Sequence, residues 1–210
     1  MKKILFFTLA ITLLLLFSAC ESGGKFEVHN RTSHPVWTAV QAGDFVEVPA
    51  GDSHVFKVDT ETQSFLTGEV SKKIKVRVLG KTFSLVDRSE EVPVYTDSTY
   101  TKVKAGKTTH AYLSPNRACI QITNLRNTTM ERAEIWQHRS NSQMLVGTLS
   151  DIPAGETKWM RVDPNTLDSS FYYRIHVLME NSDVFPFGGP EVVLASDELY
   201  QIDIPAAPGQ

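Results

Sequence analysis

Residues 48–59 read Val-Pro-Ala-Gly-Asp-Ser-His-Val-Phe-Lys-Val-Asp, and residues 152–163 read Ile-Pro-Ala-Gly-Glu-Thr-Lys-Trp-Met-Arg-Val-Asp. Both copies set an apolar residue, Pro-Ala-Gly, an acid and a hydroxyl ahead of two apolar positions, a base and Val-Asp. Proline presets φ and glycine frees it, so Pro-x-Gly is turn chemistry, and the alternation that follows suits a short half-buried strand. A chain that repeats a turn-plus-strand unit in this way is constrained to a duplicated β architecture.

Other segments keep the same order. Ile120–Asn124 matches Phe26–Asn30 at an offset of 94, Ile135-Trp136 matches Val36-Trp37 at 99, and Tyr173–Leu178 matches Ile74–Leu79 at 99. Val193-x-Ala195 and Pro205 match Val103-x-Ala105 and Pro115 at 90. The offset changes only between matched segments, where insertions are absorbed by loops. The clearest strand is Lys73-Ile74-Lys75-Val76-Arg77-Val78-Leu79, with Ile74, Val76 and Val78 on one side and Lys73, Lys75 and Arg77 on the other. A period of two is β and not helix. Gly80-Lys81 predicts a hairpin into residues 82–86, and no helical apolar spacing of useful length follows residue 20.

The expected architecture is all-β: two tandem β-sandwich modules of immunoglobulin-like pattern, residues 25–115 and 119–205, joined by Asn116-Arg117-Ala118. The antibody Cys…Trp…Cys framework is absent, so the likeness is to architecture alone. The alternative is one larger sandwich or barrel to which each repeat supplies a sheet.

The N-terminus sets the compartment. Lys2 and Lys3 precede an apolar run, Ile4 to Phe17, which ends in Phe17-Ser18-Ala19-Cys20. A basic start, a short apolar core and small residues before a cut describe a secretory signal and not a spanning helix. Small residues followed at once by Cys resemble the lipobox of bacterial lipoproteins. The resemblance implies that residues 1–19 are a signal peptide cut by signal peptidase II. It also implies that Cys20 carries a diacylglyceryl group and an acylated amino group (palmitate among the fatty acids), and that residues 20–24 form a lipidated tether. Buried methylenes contribute about 0.8 kcal/mol each, so two or three acyl chains hold a domain on a membrane stably. Glu21 stands where an inner-membrane retention signal resembling that of enteric bacteria has Asp, which in a Gram-negative host points to the outer membrane.

Charge excludes one class of partner. Residues 21–118 are near neutral, residues 119–210 carry 6 basic against 12 acidic groups, and no clustered basic face of the kind nucleic acid requires is visible. Six histidines (His29, His34, His54, His110, His138 and His176) fall in no HxH, HExxH or Cys/His pattern, so neither metal nor cofactor is expected. No Gly-x-Ser-x-Gly and no phosphate loop occur, and the paired acids Glu90-Glu91 and Asp197-Glu198 sit among turn residues, so no catalytic residue is assigned. Cys119 opens an apolar alternation and reads as a core thiol. Trp37 and Trp136, at equivalent repeat positions, read as core. Trp159, the Phe185-Pro186-Phe187-Gly188-Gly189-Pro190 loop and the row Lys73, Lys75 and Arg77 are the candidate interaction surface. The function these features predict is a non-catalytic, lipid-anchored envelope protein whose β modules form a binding scaffold for an envelope protein or a glycan. A carbohydrate-binding or adhesin-type surface lipoprotein is the alternative, and an envelope hydrolase the more distant one.

Overall fold

The computed structural model describes residues 23–61, 69–88, 94–167 and 170–206. The signal peptide, Cys20, most of the tether, part of the polar stretch after Asp59 and the Glu90-Glu91 pair lie outside the described residues. The described residues contain sixteen strands and no helix. They divide into two compact units: one takes the described residues up to Arg31 and those within Trp37–Val78 and Leu85–Leu113; the other takes Thr32–Val36, Leu79–Ser84 and the described residues from Ser114 on.

The first nine strands are β1 (Gly24–Asn30), β2 (Val36–Val40), β3 (Val46–Val48), β4 (Ser53–Val58), β5 (Ser71–Gly80), β6 (Leu85–Asp87), β7 (Val94–Thr96), β8 (Ser98–Lys104) and β9 (Thr108–Leu113). They form a three-stranded sheet β4-β1-β9, a four-stranded sheet β3-β2-β5-β8 and the ribbon β6-β7. Then follow β10 (Ala118–Asn124), β11 (Met130–Arg139), β12 (Ser142–Ile152), β13 (Thr157–Val162), β14 (Tyr172–Met179), β15 (Val184–Gly188) and β16 (Leu199–Ile204), in sheets β13-β10-β16 and β12-β11-β14-β15. The first nine strands thus form two main sheets and a ribbon and the last seven form two sheets, so neither repeat supplies a single sheet.

The connectivity is the same twice over. The opening strand of each unit lies centrally, antiparallel to the strand after the Pro-Ala-Gly turn and parallel to the closing strand. Parallel neighbours need a long crossover, here supplied by the rest of the unit. The burial phases agree as well. Ile74, Val76, Val78 and Gly80 face inward on β5, as Tyr173, Ile175, Val177 and Met179 do on β14, at the offset of 99. The closing strands align at an offset of 91, since Thr108 pairs with Lys25 as Leu199 pairs with Cys119; the residue match at 90 is one position out. In the second unit, Ile120, Ile122, Ile202 and Ile204 of one sheet join Ile135, Tyr173, Ile175 and Val177 of the other in one buried cluster.

An asparagine clamps each Pro-Ala-Gly turn. Buried Asn30 donates through Nδ2 to the Val48 and Pro49 carbonyls (3.0 Å each), and its backbone carbonyl accepts from Gly51 N–H (3.0 Å). Asn124 donates through Nδ2 to the Thr128 (2.8 Å) and Ile152 (2.9 Å) carbonyls, and its backbone carbonyl accepts from Gly155 N–H (2.7 Å). Both glycines are left-handed, with φ of 78° and 77°, which explains why Gly holds that position.

Three local expectations are corrected. Residues 82–84 do not hairpin back onto β5. Thr82, Phe83 and Ser84 are buried in the second unit, where Asn116 donates to the Ser84 carbonyl (2.8 Å) and accepts from its N–H (2.9 Å), and β6 pairs with β7 instead. Residues 116–118 are no linker: Asn116 and Arg117 donate backbone N–H groups to the Thr82 carbonyl, and buried Ala118 opens β10. Finally, Phe185 to Gly188 belong to β15, an edge strand, where Pro186 forfeits no interior ladder bond.

Candidate functional site

The outer face of the β3-β2-β5-β8 sheet gathers the positive charge of the first unit. Period-two alternation puts Lys73, Lys75 and Arg77 outward on β5 and Tyr100, Lys102 and Lys104 outward on β8. The register sets Lys73 directly opposite Lys102, and Lys75 opposite Tyr100. Lys73 Nζ lies 4.6 Å from the Tyr100 ring centroid, and that ring is 60 % exposed. Arg77 covers the Phe45 ring at 4.8 Å and donates to the Gly43 carbonyl (2.7 Å). Lys104 pairs with Glu69 at 2.7 Å, a contact that holds the Glu69 carboxyl below the usual range. Among the described residues no carboxylate pairs with Lys73, Lys75 or Lys102.

Sequence reading found the β5 row but not its β8 partners, because pairing of strands separated by a long connection is not written in either segment. The corresponding row in the second unit is Tyr172, Arg174 and His176, and Glu134 of β11 stands opposite His176. The fold thus does not require a basic row at this place.

A second constellation lies on the outer face of β4-β1-β9. Glu27 and His29 alternate onto that face from β1, and parallel pairing sets His110 opposite Glu27 and Tyr112 opposite His29. His110 Nδ1 is 3.1 Å from Glu27 Oε2, His29 Nε2 is 3.6 Å from Glu27 Oε1, and the two imidazole nitrogens are 3.3 Å apart. Ser53 Oγ donates to Glu27 Oε1 (3.2 Å). The His29 ring stacks on Tyr112 at 4.7 Å, and the Arg31 guanidinium covers the Tyr112 ring at 4.0 Å. Among the described residues this is the one group of three potential metal-ligating side chains.

The other singled-out residues fall apart from one another. Trp159 is half-buried on β13 beneath the Arg161 guanidinium, 5.7 Å from its ring. Phe185 and Phe187 pack against the core of the second unit, with Arg126 over the Phe185 ring at 4.5 Å, so they close that sandwich more than they present a surface. Trp37 and Trp136 are not core. They alternate with the inward Val36 and Ile135 and stand half-buried on outer sheet faces, and Trp136 Nε1 donates to Glu134 (3.3 Å). Cys119 is buried, and that burial pushes its thiol up to about 12. Asp197 and Glu198 serve a turn. Asp197, at φ 74°, accepts from Ser33 N–H (2.7 Å) and Thr82 Oγ1 (2.6 Å) within the second unit, and Glu198 accepts from Ala195 N–H (2.7 Å).

No protein-family model matches the chain, and no curated protein does. Among solved structures it is similar to a candidate cell-adhesion protein from Bacteroides ovatus, at 12% identity and a TM-score of 0.36 over 87% of this chain and 90% of that one. It is also similar to the tip fimbrial protein Mfa3 from Porphyromonas gingivalis, at 8% identity and a TM-score of 0.26 over 79% and 81% of the two chains. A candidate adhesin from Bacteroides ovatus matches at 9% identity and a TM-score of 0.25, over 87% and 89%. These likenesses are remote, and the functional reading rests on the chain's own surfaces.

Proposed function

We propose that the chain is a non-catalytic, lipid-anchored protein of the cell envelope, held by Cys20 in the outer membrane, whose first unit binds an anionic polysaccharide on the β5–β8 face. The observation that carries this reading is the Lys73–Lys102 cross-strand pair. Like charges directly opposite destabilise a sheet, so the pair costs the fold stability and calls for a role outside it. Lys75 and Tyr100 extend the row, and the exposed ring beside the ammonium groups suits a sugar face next to a carboxylate or sulfate. The lipobox supports the anchor, and the stretch between Cys20 and β1 supplies a tether shorter than expected, because Gly24 is buried in β1 and paired with Val58.

The test is an array of anionic and neutral glycans probed with the full chain and with a Lys75→Glu/Lys102→Glu variant. The expected result is binding confined to anionic glycans, weakened by salt and lost in the variant. Equal binding of neutral glycans, or binding that survives charge reversal, would contradict the reading.

A further inference from the structure

We propose that Glu27, His29 and His110 form a binding site for one divalent transition-metal ion of the zinc class, joining the opening and closing strands of the first unit. Zinc bound by imidazole nitrogen and carboxylate oxygen takes bonds of about 2.0–2.1 Å in tetrahedral array, so its ligand atoms lie about 3.3–3.4 Å apart. His110 Nδ1 lies 3.1 Å from Glu27 Oε2 and 3.3 Å from His29 Nε2, two edges of that length, and with one donor atom taken from each residue all three lie within 4.8 Å of one another, near enough for small side-chain rotations to bring them round one ion.

The donors are held before any ion arrives. Glu27 and His29 sit two residues apart on a central strand, and His110 sits in register on its neighbour, so hydrogen-bonded backbone fixes all three origins. Stacking on Tyr112 fixes the plane of His29, and Arg31 in turn covers Tyr112. The Ser53 hydroxyl orients the carboxylate, the kind of outer contact that metal carboxylates carry. Side-chain exposures of 20 % for Glu27, 29 % for His29 and 46 % for His110 leave the fourth direction open to solvent, for a water or for a donor atom of a bound partner.

The second unit supplies an internal control. The positions that pair as Glu27–His110 and His29–Tyr112 do are Gln121–Gln201 and Thr123–Asp203 there. The same sheet is thus built without imidazoles or a carboxylate trio, and the donor set in the first unit is not demanded by the fold. It is also separate from the β5–β8 face, so its failure would leave the polysaccharide reading standing.

The experiment is a calorimetric titration of zinc chloride into the untagged full chain in detergent, repeated with Glu27→Gln, His29→Gln, His110→Gln and, as a control, His138→Gln in the second unit. Cobalt(II) absorption provides a spectroscopic readout of tetrahedral nitrogen–oxygen ligation. The expected result is one ion per chain and an affinity lowered at least about tenfold in each of the three ligand variants. Cobalt bands should appear in the wild-type chain and in His138→Gln, and not in His29→Gln or His110→Gln. Urea midpoints in metal-free buffer identify any variant that fails to fold. Absence of binding by the wild-type chain, or binding that folded His29→Gln and His110→Gln both retain, would overturn the proposal.

Discussion

Asn30 and Asn124 do by side chain what the Pro-Ala-Gly turns leave undone. The Asn30 amide donates to two carbonyls at its turn, Val48 and Pro49, and the Asn124 amide donates to Ile152 at its turn and to Thr128 in the loop before β11. Replacing Asn124 by Ala leaves the buried Ile152 carbonyl and the half-buried Thr128 carbonyl without that donor, at a cost of about 1–3 kcal/mol. The measurement is urea unfolding of the full chain, where the midpoint should fall with little change in slope. A midpoint within error of wild type would show that the clamp contributes nothing. The sequence marks both asparagines only as the ends of matching strands, since their bonding partners appear once the turn has folded back. His29 and His110 were illegible for a related reason. Metal-ligand rules rely on short spacings, whereas these two residues stand 81 apart and meet because the opening and closing strands pair in parallel.

At the scale of the element, alternation was the dependable signal. The β5 strand is visible in the sequence because three apolar and three basic residues alternate without exception, and its burial follows that phase. Side-chain type misled where it was read without phase: Trp37 and Trp136 are large and apolar, yet alternation places them outward. Phe185 to Gly188 looked like a loop because proline and glycine punctuate them, but an edge strand tolerates both. The hairpin after Gly80 failed because buried polar Thr82 and Ser84 find their partner in Asn116, far along the chain. The β5–β8 pair carries a prediction of its own. Lys102→Glu turns a repulsive cross-strand pair into an attractive one, so stability should rise by about 0.5 kcal/mol, as read from the thermal or urea midpoint, while polyanion binding falls. A variant that loses both stability and binding would show that Lys102 serves the fold.

For the whole molecule, the two units share strand order, parallel closure, turn clamp and inward phase, and this supports the proposal that they arose by duplication of one sandwich. What differs between them is surface chemistry: a basic face and a histidine–glutamate trio in the first unit, a mixed face and amide side chains in the second. Those outward differences are what specialisation of one copy for binding would leave behind. On the function proposed above, an anchor at Cys20 presents the basic face of the first unit to a polyanion. The direct measurement takes membranes from cells producing the full chain, its Cys20→Ala form or its Lys75→Glu/Lys102→Glu form, and scores retention of a fluorescent anionic polysaccharide across a salt series. The expected result is capture by wild-type membranes that fades as salt rises. The charge-reversed chain should stay on the membrane without capturing, and the Cys20→Ala chain should be released to the soluble fraction, taking the capture with it. Membranes of Cys20→Ala cells that retain both chain and polymer, or charge-reversed membranes that capture as well as wild type, would contradict the account.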